Sequence, residues 1–346
     1  MVWVSLWNTL GSIALVTQAG QMHQDDAKPN PASVPIASRS VATPLAPIEV
    51  SARYINADEI GNSLISEDEI KLRGAHHPQE LFSTVPGAWI SRGSGQELLT
   101  AIRSPVLTGA GACGAFLVLE DHIPVRPAGF CNVNGLFELN LRQASSVQVL
   151  RGPGLAAHGA NALHGVIDIA APNIDGQSAF IEGGSQNYRR LGVQLSAGDW
   201  QLAANHTNSD SFRLDESYRH SFIDLRHDAT WGRFNVSNRI HLADLDQQTA
   251  GFIFGEDAFR DPVLRRSNEN PEAFRDAYAI RASSHWRWHG DDGREYRITP
   301  FIRHSEMRFL QHFLPGQPLE RNRQSSAGVQ LSVSRPSWAP GLSLGL

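Results

Sequence analysis

Apolar residues recur at every second position through most of the second half of the chain. In YRRLGVQLSA, Leu191, Val193 and Leu195 share one face, and Arg190, Gly192, Gln194 and Ser196 take the other. In WGRFNVSNRIHL, Phe234, Val236, Ile240 and Leu242 alternate with Arg233, Asn235, Ser237, Arg239 and His241. REYRITPFIRH sets Tyr296, Ile298 and Ile302 against Arg297, Thr299 and Arg303, and SAGVQLSVSR repeats the theme at Ala327, Val329, Leu331 and Val333. Period two predicts β-strands, because successive side chains of a strand point to opposite faces. The connectors alternate between tight ones, such as Ala197-Gly198-Asp199 and His289-Gly290-Asp291, and long polar ones such as 244–272.

The first half is mixed. Residues 21–47 are polar and rich in Pro, Ala and Ser, and read as a disordered tether. Ser66 opens a Ser-Glu-Asp-Glu helix cap. Pro78 can open a second helix, with Leu81, Phe82 and Val85 on its apolar face, that ends before Pro86-Gly87. AFLVLEDHIPV reads as a strand, a turn at Glu120-Asp121-His122 and a second strand; Val147–Leu150 and GVIDIAAP read as two more. Residues 48–172 thus predict a compact α+β domain.

The polar face of the later strands changes the picture. It is heavy in Arg, Asn, Gln and His, while the apolar face ends repeatedly in aromatics: Trp200, Trp231, Trp286, Trp288 and Tyr278. A wall with lipid outside, a wet lumen inside and aromatic girdles has this pattern. A soluble sandwich or propeller also alternates, so alternation leaves both open.

Composition narrows the rest. The chain has 346 residues, 41% hydrophobic and 19% charged, with 30 glycines and 19 prolines, a turn-rich balance that suits β structure and not a helical bundle. A net charge of -5 argues against bulk nucleic-acid binding. Lysine stands only at Lys28 and Lys71, so arginine supplies nearly all the basic groups. That skew is either a lineage bias or a use of planar, multi-donor guanidinium groups against carboxylates in a confined polar interior. Cys113 and Cys131 would form one local disulfide in an exported protein and stay free thiols in the cytosol. Residues 1–20 are apolar and end at Thr17-Gln18-Ala19 like a secretory signal, although no Lys or Arg opens them. A disordered apolar tail or a misplaced start is the alternative. No later run reaches the ~18 apolar residues of a spanning helix.

Catalytic chemistry is not indicated. No Ser-His-Asp or paired-carboxylate spacing stands out, and nothing calls for a cofactor. His76-His77 reads as a solvated pair, and His220, His227 and His241 as lumen or loop side chains. The glycine-rich stretch VQVLRGPGLAAHGANALHGVIDI is no phosphate loop: Ala157 stands where a dinucleotide fingerprint needs its third glycine, and no lysine is near.

That stretch, continued to Pro172, resembles the end of the plug domain in TonB-dependent outer-membrane receptors. The likeness runs through Val149, Leu150, Arg151, Gly152, Pro153, Gly154, His158, Gly159, Ala162, Gly165, Val166 and Ile167, with His158 where an aromatic is usual. ELFSTVPGAWISRG resembles the early plug segment. AFLVLEDHIPVRP resembles its strand-turn-strand, with His122 in a glycine place. Ile48, Glu49, Val50, Ser51 and Ala52 sit where the family has its TonB box. MRFLQHFLPGQPLE is similar to a strand end and outer loop.

The resemblance implies an α+β plug domain over 48–172, followed by antiparallel transmembrane β-barrel strands over 177–346. It implies export through the periplasm to the outer membrane of a Gram-negative bacterium, a disulfide between Cys113 and Cys131, and close backbone approach of the signature glycines to the barrel. Arg151 would bridge to carboxylates. The implied function is energised uptake of a scarce substrate, with a ferric chelate or similar metal complex as the usual cargo. The partners are a TonB-like inner-membrane protein and outer-membrane lipid. A plugged transporter barrel has about 22 strands, whereas 177–346 holds roughly eight, so the chain reads as the front part of a larger receptor. A soluble periplasmic plug-like module and a soluble all-β carbohydrate-binding or adhesion protein are the other readings. The sandwich reading predicts that the apolar faces of 188–196 and 233–242 pack on each other.

Overall fold

The computed structural model describes residues 61–107, 113–127, 130, 131, 133, 135–154, 158, 161–334 and 343–345. The segments read as signal (1–20), tether (21–47) and Ile48–Ala52, together with Gly159, lie outside the described residues.

β1 (Asn62–Ser66) runs into α1 (Glu67–Arg73), and the Ser66 hydroxyl caps the helix by accepting from the Glu69 N–H at 3.3 Å. Glu67, Asp68 and Glu69 fill the first turn and Lys71 and Arg73 the last, which complements the helix dipole. In α2 (Pro78–Phe82) the proline occupies the first turn, where its missing N–H leaves no bond unmade. A hairpin of β2 (Ala88–Arg92) and β3 (Leu98–Ile102) follows.

Next come β4 (Leu117–Glu120), β5 (Ile123–Pro124), β6 (Ser146–Arg151) and β7 (Gly165–Ala170). With β1 they make a five-stranded sheet in the order β1-β6-β7-β4-β5, parallel between β4 and β7. Ile70, Leu81, Phe82, Ile102, Val118, Val147 and Ile167 pack beneath it, and Tyr218, Leu245, Ala277 and Met307 of the second half join the same buried cluster.

The second half is one antiparallel wall. Its strands are β8 (Gln177–Gly183), β9 (Arg189–Ala197), β10 (Trp200–Ser209), β11 (Ser217–Trp231) and β12 (Phe234–Gln248). They continue as β13 (Arg275–His289), β14 (Glu295–Leu310), β15 (Leu319–Ser334) and β16 (Ser343–Gly345). The nine strands lie side by side in chain order, where spacing predicted roughly eight. Tight turns join β9 to β10 and β11 to β12 at one end, and the long 249–274 segment joins β12 to β13 at the other.

The face of the wall turned away from the plug carries exposed apolar residues. Leu191 is 56% exposed, Ile240 44% and Ile302 61%, while Arg190, His220, His241 and Arg281 on the opposite face are buried. The 188–196 and 233–242 segments belong to the same sheet, so their apolar faces look outward together and do not pack on each other. That excludes the sandwich. At the tight-turn end Trp231 and Trp286 meet edge to face at 5.8 Å, and Trp288 stacks on Tyr296 at 5.2 Å, a girdle of the kind that sits at a membrane interface.

Candidate functional site

The glycine-rich stretch is a long hairpin inside the plug. Gly152 N–H donates to the His164 carbonyl at 2.8 Å and Gly154 N–H to the Ala162 carbonyl at 2.7 Å, closing the loop between β6 and β7. Gly152 has φ +125, which a side chain would resist. At Gly165 a Cβ would lie 2.6 Å from both Ile102 Cγ2 and the Leu150 carbonyl oxygen. The close neighbours at Gly165 are thus the plug's own residues, not the barrel wall. Arg151 also departs from expectation. Its guanidinium donates to three carbonyls, Gly61 at 2.9 Å, Pro86 at 2.9 Å and Asn62 at 3.3 Å, and among the described residues not to a carboxylate. It ends β6 beside the start of β1, and so staples the first strand to the sheet.

Carboxylate pairing appears instead where plug meets wall. Arg281 of β13 donates from Nε to Glu120 at 2.9 Å, from Nη1 to the Glu138 carboxylate at 3.2 Å and from Nη2 to the Glu138 carbonyl at 2.7 Å. Arg126 of the plug holds the other Glu138 oxygen. Arg239 of the wall pairs with Asp121 at 3.1 Å. Glu182 of β8 receives Arg142 of the plug at 2.7 Å and Arg190 of the wall at 3.3 Å. On the wall side this seam is a transverse row: Asp224, His241, Arg281 and Arg303 are successive cross-strand partners over β11 to β14. Glu120, Asp224 and His241 bring their ligand-type atoms within 4.8 Å of one another. Arg281 already holds Glu120, so a guanidinium supplies the positive charge that a metal would bring.

At the long-loop end, plug and wall enclose a cavity of about 1400 Å³. Its plug side is the β2–β3 hairpin, which the wall grips through backbone groups. Ala250 N–H donates to Ser94 Oγ at 2.7 Å, Gly95 N–H to Glu216 at 2.7 Å and Gln96 N–H to Gln247 at 2.9 Å. Glu97 pairs with Arg275 at 3.0 Å, and that guanidinium lies 3.6 Å over the Phe309 ring. Burial pushes the Glu97 carboxyl up, against the pull of Arg275. Arg213 ties the 249–274 segment down by donating to the Ser267 carbonyl at 2.9 Å and to that of Gly251. Tyr188, Tyr218, Phe212, Phe252 and Phe313 add aromatic faces to the lining. Cys131 stands at the same cavity and is bonded to Cys113. The lining sets aromatic faces and guanidinium groups beside the carboxylates of Glu97, Glu216 and Glu320, groups that can bind and orient a ligand.

The histidines sort differently from the sequence reading. His77 is buried at 2% exposure rather than solvated: Nδ1 accepts from Gln79 N–H at 3.1 Å, capping α2, and Nε2 donates to the Glu97 carbonyl at 3.2 Å. His76 stacks on Tyr188 with ring centroids 4.2 Å apart. His220 and His241 face the plug, whereas His227 lies on the outward face against Trp200, centroids 4.3 Å apart. Glu138, Arg281 and Asp224 were not singled out from sequence; the arginine skew was the one signal pointing to such contacts.

Residues 59–166 match the TonB-dependent receptor plug domain. The ferric citrate transporter FecA, unliganded, superposes with a TM-score of 0.64 at 18% identity, over 79% of this chain and 44% of that one. FpvA of P. aeruginosa bound to heterologous pyoverdines gives 0.63 at 14% identity, over 82% and 40%. The siderophore receptor PiuA from Acinetobacter baumannii gives 0.62 at 14%, over 82% and 44%. The chain thus spans less than half the length of these solved receptors. No curated protein matches the sequence. The likeness shows the fold: a plug domain over the first half of the chain, followed by part of an antiparallel barrel wall. An oxidising periplasm suits the Cys113–Cys131 bond.

Proposed function

We propose that the chain supplies the plug and part of the wall of a receptor for energised uptake of a scarce substrate, a ferric chelate or similar metal complex. The observation that carries this reading is the long-loop cavity floored by the plug hairpin, which gives a ligand a seat above the plug. The solved receptors that share the fold carry ferric citrate transport, pyoverdine binding and siderophore reception in their names, which supports iron chelates as the cargo class. Ile48–Ala52 serves as the TonB box, captured by a TonB-like inner-membrane partner through strand addition. Arg151, Gly152, Pro153, Gly154, Ala162 and Gly165 hold the hairpin that frames the plug sheet, and Gly159 belongs to the same sequence signature. Pulling on the box then rearranges the plug, and the ligand passes without covalent change.

Uptake of radiolabelled iron offered as citrate, hydroxamate and catecholate chelates tests this in cells with and without the gene. Loss of protonophore-sensitive uptake for one chelate class is expected in the deletion; identical uptake in both strains overturns the cargo reading. Val50→Pro in the intact receptor is expected to reduce uptake to the deletion level while leaving surface binding of the chelate unchanged. Uptake that survives Val50→Pro removes the box assignment.

A further inference from the structure

The Cys113–Cys131 bond closes residues 113–131 into a covalent ring, with the two Cα atoms 4.5 Å apart. Inside that ring lie β4, β5 and the turn that joins them. Four successive wall strands each send a donor to residues 120–124. Arg239 of β12 pairs with Asp121 at 3.1 Å, and Arg281 of β13 with Glu120 at 2.9 Å. Arg303 of β14 donates to the Pro124 carbonyl, and Gln330 of β15 to the His122 carbonyl at 3.0 Å. Two of these are guanidinium–carboxylate pairs, roughly twice as strong as neutral hydrogen bonds. β4 also runs parallel to β7 in the interior of the plug sheet, from Leu117 opposite Val166 to Glu120 opposite Ile169.

The chain ahead of the ring is held differently. Among the described strands β1 pairs only with β6, at the edge of the sheet, and Arg151 ties its start. It can leave without breaking any other ladder. α1 and α2 have seven and five residues, too short to persist once detached. The β2–β3 hairpin is a separate two-stranded sheet whose hold on the wall lies at its 94–97 tip. The same boundary divides the plug side of the long-loop cavity. Arg92, Gly95 and Glu97 line it from ahead of Cys113, and Arg126, Cys131 and Val133 line it from the ring and beyond.

A pull on the tether reaches these parts in chain order. Without the bond it would pass Cys113, arrive at Leu117 and peel β4 from one end, so that ladder and wall donors fail one after another. The cross-link denies the segment its extended states. The load crosses to Cys131 and draws both legs of the ring together, and the four wall donors and the β4–β7 ladder bear it at once. We propose that the Cys113–Cys131 bond is a mechanical stop: a pull on the N-terminal tether unfolds the plug as far as residue 112 and halts at the ring, which stays seated on β12 to β15. The hairpin side of the cavity floor then withdraws while the Arg126 side remains, and a passage opens without the plug leaving the wall. That use of the stop rests on the energised-uptake reading; the stop itself does not.

Single-molecule stretching of the full chain in lipid vesicles, from a handle ahead of Ile48, tests it with neither cargo nor energising partner present. The oxidised protein is expected to lengthen by about 170–190 Å as residues 61–112 come out, and then to halt until a second, separate event. Cys131 lines the cavity, so a reductant reaches the bond in the folded protein. Reduction in place is expected to abolish the halt, and Cys113→Ser to do the same. Arg239→Gln takes one donor from the ring and is expected to lower the force of the second event while leaving the first extension unchanged. An oxidised chain drawn out past Cys131 in one continuous event overturns the proposal. So does a halt that survives reduction, or one whose force is the same in Arg239→Gln. Reduction needs no variant, so it decides even where Cys113→Ser does not fold. A halt found in a chain whose deletion leaves uptake unchanged removes the uptake reading and leaves the stop in place.

Discussion

Arg281 of the wall grips Glu138 of the plug twice, at the carboxylate and at the backbone carbonyl, 3.2 Å and 2.7 Å away. Both side chains are almost fully buried, 9% and 3% exposed. Removing one partner of such a pair strands the other charge, which costs about 3–5 kcal/mol. Glu138→Gln is therefore expected to lower the protection of the 135–143 backbone by that amount in hydrogen exchange, and Arg281→Gln to do the same. A change below about 1 kcal/mol, the worth of an exposed pair, would show that water reaches this seam.

Gly165→Ala forces a methyl group to within 2.6 Å of Ile102 and of the Leu150 carbonyl. One of those neighbours is backbone and cannot rotate away. Overpacking of this kind costs about 1–3 kcal/mol. Gly183→Ala is the control, since its nearest neighbour is 4.0 Å away and its backbone is ordinary. Thermal unfolding midpoints of the two variants should differ, with Gly165→Ala the lower; equal midpoints would remove close packing as the reason for glycine there.

Ile302, 61% exposed at the middle of β14, points away from the plug. If that face is lipid, Ile302→Arg costs about 2–4 kcal/mol near the bilayer midplane, whereas Ile302→Leu costs little. Urea unfolding in lipid vesicles reads the difference. Equal stability of the arginine and leucine variants would mean that the face meets water.

The plug is also expected to be acid-sensitive at His77. Burial, with the charge of Arg92, lowers its pKa from 6.5 to about 4. The folded state therefore binds fewer protons than the unfolded state within that interval. The contribution is full above pH 6.5 and is lost as pH falls toward about 4. Equilibrium unfolding followed from pH 7 to 4 should show this slope in the wild type and a shallower one in His77→Asn; parallel curves would assign the acid response to other groups.

What sequence could reveal depended on the reach of each interaction. The wall strands were legible because period two is written in neighbouring residues, as at Leu191, Val193 and Leu195. The Ser66 cap and the proline of α2 were legible for the same reason. The seam was not. Glu120 and Glu138 lie more than a hundred residues from Arg281, and no local pattern announces a partner at that distance. The arginine skew indicated the kind of contact without its members. Arg151 was matched to carboxylates because guanidinium favours them, yet its place at the end of β6 puts bare carbonyls of Gly61 and Asn62 nearest. His77 looked solvated beside His76 because the Glu97 carbonyl that buries it comes from a different hairpin strand's approach.

The transverse row on the wall sets Arg281 directly opposite Arg303 in register. Two guanidiniums facing each other across adjacent strands repel, and the strands carrying them zip less readily on their own. Glu120 and Glu138 of the plug lie against Arg281 and offset that repulsion. The plug is in this sense the wall's counterion, and an empty wall would be a weaker one.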